Sequence, residues 1–125
     1  MKIKIFPLVS SLHDKKLVNE TTNEFINLIK ERLNCEIEID TDVSCFYDAD
    51  LSLIFVQTGG SESIFLENFK DLKAPFYILT HGYSNSLAAS IEILSYLNLN
   101  NIKGEILHGS VNYICERILK LVEDE

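Results

Sequence analysis

A chain of 125 residues, 46% apolar and 24% charged, has the make-up of one soluble globular domain, large enough to fold without disulfide or metal staples. Eleven Lys and Arg against nineteen Asp and Glu give a formal charge of −8, which opposes nucleic acid and anionic lipid, so neither is an expected partner. No apolar run approaches the ~20 residues that span a bilayer, and the opening MKIKIFPLVS is a poor secretory signal, so a cytoplasmic location is expected.

IKIFPLV (3–9) is β-branched and apolar and predicts a first strand, although Pro7 lacks a ladder donor and favours a strand end or a sheet edge. From Lys15 to Leu33, Val18, Phe25, Leu28, Ile29 and Leu33 recur mostly at helical spacing among charged and amide side chains, which predicts an amphipathic helix. CEIEID (35–40) alternates apolar and acidic residues, as a strand near a sheet edge does. TDVSCFYDAD, which follows, has room for a single helical turn and no more.

LSLIFVQ (51–57) and PFYILT (75–80) are near-continuous apolar runs, expected of strands covered on both faces. Between them SESIFLENFKDL places Ile64, Phe65 and Phe69 on one helical stripe. SNSLAASIEILSYL (84–97) predicts a helix with a Ser/Asn cap and a stripe of Leu87, Ile91 and Leu94. KGEILHG (103–109) predicts a short last strand, and SVNYICERILKLVEDE a last helix with Ile114, Ile118, Leu121 and Val122 inward. This alternation predicts a flavodoxin-like, doubly wound α/β fold: one Rossmann-like domain over residues 1–125, with a five-stranded parallel sheet in a three-layer α/β/α sandwich. Cys35, Cys45 and Cys115 are too widely spaced for a metal or disulfide framework and are expected to be buried, reduced thiols.

In such sheets ligands bind beyond the carboxyl ends of the strands, near the point where strand order reverses. That end carries Pro7 to His13, Gln57 to Glu62, Thr80 to Asn85 and His108 to Ser110. The last three groups each lead into a helix N-terminus, whose free N–H groups and dipole receive hydroxyls and anions. Plainer roles compete. Gly59-Gly60 suits a tight turn, Ser61, Ser84 and Ser110 suit helix caps, and His81 and His108 suit hydrogen-bonded strand ends. Glu92, two turns after Asn85, suits a solvated helix face. The dinucleotide G-x-G-x-x-G fingerprint, the Walker lysine motif and the G-x-S-x-G elbow do not occur.

FVQTGGSES, PFYILTHGYSNSLAASIEILSYL and GEILHGS together resemble the N-terminal domain of the L-fucose/L-arabinose isomerase superfamily, in its fucose isomerase-like branch. The likeness covers residues 50 to 112; the first fifty agree in element order more than in motif. It implies a flavodoxin-like domain at the start of a longer aldose–ketose isomerase, partnered by further domains of the parent chain and by neighbouring subunits of an oligomer. In those enzymes a divalent metal, usually Mn2+, is held by Glu, Asp and His of later domains, and carboxylates move a proton through an enediol. No cofactor and no catalytic residue is therefore expected within this chain. Carried over by position, Gly60, Ser61, Glu62, His81, Ser84, Asn85 and Ser86 are the expected contacts to a sugar or other small polyol. Two other readings stand beside it: a regulatory module binding a small molecule or protein, and a flavodoxin-like electron carrier. The carrier is opposed by the lack of Trp and of a Ser/Thr-rich phosphate cradle in PLVSSLHD.

Overall fold

The computed structural model describes residues 1–8, 15–57, 59, 62–69, 75–80 and 86–123, without the side chains of 15–22 and 62. Along the chain run β1 (Lys2–Leu8), α1 (Lys15–Leu33), β2 (Glu36–Ile39), one 3-10 turn (Val43–Cys45), β3 (Leu51–Val56) and α2 (Glu62–Phe69). β4 (Phe76–Leu79), α3 (Ser86–Leu99), β5 (Gly104–Leu107) and α4 (Val111–Glu123) complete the order. The strands lie β2-β1-β3-β4-β5, and every neighbouring pair is parallel. This is the flavodoxin-like three-layer arrangement that the alternation of elements predicts. β2 is an edge strand, as its alternating acidic residues imply.

Pro7 lies in a central strand rather than at an edge. β1 pairs with β2 through Lys2 to Ile5 and with β3 through Ile3 to Leu8. Alternate residues of a parallel strand address opposite neighbours. The carbonyls of Lys2 and Leu8 accept from Asp50 and Gln57 on the β3 side, and that of Ile5 accepts from Asp40 on the β2 side. The nitrogen of Pro7 therefore faces the β2 side, past Ile39, where β2 has ended. Its missing N–H falls where the β1–β2 ladder stops, after the Asp40 N–H donates to the Ile5 carbonyl.

Two cores flank the sheet. On one face Ile3, Ile5, Leu53 and Phe55 pack against Ile26 and Ile29 of α1 and Ile114 and Ile118 of α4. On the other, Phe6, Ile54 and Ile78 pack against Phe65 and Phe69 of α2 and Ala89, Ile93 and Leu97 of α3. Burial of each large side chain contributes about 1.5–3 kcal/mol relative to exposure. α1 ends at Asn34, whose φ of 49° turns the chain through the left-handed region and whose N–H closes on the Lys30 carbonyl.

Two helices are rotated from their predicted stripes. In α1, Ile26 is buried and Leu28 is exposed, because Leu28 lies about 115° from the centre of the face formed by Phe25, Ile26, Ile29 and Leu33. In α3 the buried face is Ser86, Ala89, Ser90, Ile93 and Leu97, and Ile91 is exposed. Apolar residues surround this helix, so two stripes were available; the one with small residues won. Gly104 of β5 lets α3 approach closely: a Cβ there would stand 2.6 Å from Leu97 Cδ1. The polar cost of burying serines is met, since Ser90 Oγ donates to the Ser86 carbonyl at 2.8 Å.

No helix joins β2 to β3, and the sheet surface there is polar. Lys2 Nζ meets Glu38 at 3.0 Å and Lys4 Nζ meets Asp40 at 2.9 Å, each pair bridging β1 and the β2 side. The connection contributes one ring, Phe46, which stands against Phe6, Phe69 and Phe76 with centroids 5.3, 5.8 and 6.0 Å apart. Ser52 donates its hydroxyl to the Phe46 carbonyl and holds that turn down.

Candidate functional site

Because all five strands are parallel, their carboxyl ends share one rim. β3 and β4 are neighbours in register, with Phe55 opposite Leu79, so the chain leaves both at adjacent points of that rim. Strand order reverses between β1 and β3, which puts the β3 exit at the switch point and the β4 exit one strand farther. At the β3 exit Gln57 is buried, and its N–H donates to the Leu8 carbonyl at 3.0 Å. At the β4 exit Thr80 is fully buried, and its N–H donates to the Leu107 carbonyl at 3.2 Å.

Of the expected sugar contacts, Gly60, Ser61, His81, Ser84 and Asn85 lie outside the described residues, as does the side chain of Glu62. Glu62 itself is the first residue of α2, directly behind the β3 exit. Ser86 opens α3 with its side chain fully buried, and its Oγ shares a 2.6 Å hydrogen bond with Thr80 Oγ1. That bond ties the start of α3 to the end of β4. Thr80 was legible only as a strand end; its role needs the helix above it.

At the β5 exit His108 is exposed and Gly109 has a φ of 135°, a conformation costly for other residues. Ser110 caps α4: its Oγ accepts from the Tyr113 N–H at 3.1 Å. The capping role is thus realised at Ser110. Of the three thiols, Cys115 is buried while Cys35 and Cys45 are half-buried, a departure from the expectation for all three. Burial pushes the Cys35 and Cys115 thiols up, which disfavours the thiolate.

A cavity of about 240 Å³ lies elsewhere, at the amino ends of β3 and β4, between Tyr47, Asp50, Pro75 and Tyr77. Among the described residues, the four α-helices each follow a strand and start at the opposite rim. Among the described residues no three Asp, Glu, His or Cys side chains come together to hold a metal ion. No described helix is long and apolar enough to cross a membrane. Comparison of the chain with protein-family models, with curated proteins and with solved structures returns no match.

Proposed function

We propose that this chain is the N-terminal, substrate-side domain of an L-fucose isomerase-like aldose–ketose isomerase, and that it is not catalytic alone. One observation carries the proposal: β3 and β4 are parallel neighbours, so the TGGS and THGYSNS segments depart from adjacent points of one rim, at and beside the switch point. Gly60 lets the backbone approach the sugar, and Ser61, Glu62, His81, Ser84 and Asn85 hydrogen-bond its hydroxyls. Ser86, bonded to Thr80, positions the second loop. The proton-transferring carboxylates and the metal belong to other domains of the parent chain, so this domain binds, orients and excludes water. Neutral sugars suit a domain of formal charge −8 better than sugar phosphates do.

The test is an amide-resolved NMR titration with L-fucose, L-arabinose and their alditols, each carried to its solubility limit, with sucrose as a control. Selective, saturating shifts at 57–62 and 80–86 are expected. Their absence for all four ligands, or equal shifts with sucrose, overturns the proposal.

A further inference from the structure

A second cavity lies beside the connection that has no crossover helix. It measures about 120 Å³ and lies between the carboxyl end of β1, the residues just after β2 and the flank of α2. Buried Phe6, Leu8 and Phe69 form its floor, and half-buried Val43 and Ile64 its sides. Half-buried Asp40 and exposed Thr41 and Asn68 complete the lining. The lining is thus partly apolar and aromatic and partly made of hydrogen-bonding groups.

The polar groups are held in place. Asp40 Oδ2 accepts from Lys4 Nζ at 2.9 Å, and Oδ1 accepts from the Asp42 N–H at 2.8 Å. Lys4 is itself only 4% exposed, so the anchor is a buried ammonium on a central strand. The Thr41 N–H is a third donor to this carboxylate. A carboxylate has about four acceptor sites, so one remains for an O–H donor. Asn68 donates one amide proton to the Ile64 carbonyl at 2.8 Å, which fixes the carboxamide plane on α2. Such preorganisation lowers the entropy that a ligand must overcome.

The chemistry of the walls selects the ligand. An ionised acceptor in the lining and a formal charge of −8 repel phosphates and carboxylates. The volume is well below the ~300–1,000 Å³ of drug-sized sites, which excludes a nucleotide and leaves room for a single ring. Vicinal hydroxyls satisfy a carboxylate and an amide together, while the C–H side of the ring covers the phenylalanine floor. We propose that the cavity bounded by Asp40, Thr41, Asn68 and Phe69 is a binding site for a small neutral ring bearing a vicinal diol.

The probe is cis-1,2-cyclohexanediol, compared with cyclohexanol and methyl phosphate, followed through the Val43 and Ile64 methyl and Thr41 amide signals. The diol is expected to shift these signals saturably, with cyclohexanol weaker and methyl phosphate silent. Asn68→Ala changes an exposed helix position and retains the fold; it is expected to weaken the diol about tenfold, the effect of one lost hydrogen bond. Equal response to diol and mono-ol, no response to the diol, or an unchanged affinity in Asn68→Ala overturns the proposal. The reporting signals, on residues 41, 43 and 64, differ from those at 57–62 and 80–86 that report the sugar titration.

Discussion

On the face carried by α1 and α4, aliphatic side chains of four strands meet two helices; on the face carried by α2 and α3, phenylalanines do much of the packing and the β2 side has no helix above it. The sequence of β1 records this difference in its alternation. Ile3 and Ile5 point to the first face, while Lys2 and Lys4 share the second with Phe6 and Leu8. Where a crossover helix is left out, the strands beneath must be polar, and each charge must find a partner across the ladder. The border between that polar quarter and the core is closed by the Phe46 ring. Beside this border the fold keeps an open cavity.

The contrast predicts where the molecule is weakest. Phe46→Ala removes a buried ring packed against Phe6, Tyr47, Phe69 and Phe76, and is expected to cost about 3–5 kcal/mol by urea unfolding. A loss under about 1 kcal/mol would show that the turn, not the ring, seals the border. On the helix-covered half of the same face, Gly104→Ala forces Leu97 and Leu94 to give way, with a Cβ 2.6 and 3.3 Å from their Cδ1 atoms. Because those atoms end flexible side chains, the expected cost is about 1 kcal/mol, measured in the same way.

The smallest effect is a change of slope. The hydrogen bond from Lys4, and then the N–H of Asp42, hold the Asp40 carboxyl below the usual carboxylate range. Folding therefore favours its ionised form. The contribution is complete above the unfolded value of about 3.9 and is lost as pH falls through the lower folded value. In Asp40→Asn, stability against pH should be flatter below about pH 4, with a residual slope from Asp42, whose carboxyl Ser44 holds down likewise. An unchanged acid limb would remove Asp40 from the account. Lys4 behaves as the mirror image: its bond to Asp40 raises it, so its contribution is present below about pH 10.4 and lost as pH rises through the folded value.

Local periodicity was enough for the elements and their order. Alternation in residues 35–40, continuous apolar runs at 51–57 and 75–80, and helical spacing in residues 15–33 and 110–122 each reflect one backbone geometry, so they are visible in any window of the chain. The predicted rim follows from parallel order alone. What periodicity could not decide is which of two apolar stripes α3 buries, because the choice depends on the closeness of approach to β5 at Gly104. Nor could it assign Phe46, which belongs to no strand or α-helix and gains its role from rings supplied by β1, α2 and β4. Pro7 is harmless for a similar reason: its nitrogen faces a neighbour that has already ended. The Thr80–Ser86 bond and the cavity beside Asp40 join residues from separate elements. Such features depend on contacts between distant segments, and only the packed tertiary structure determines those.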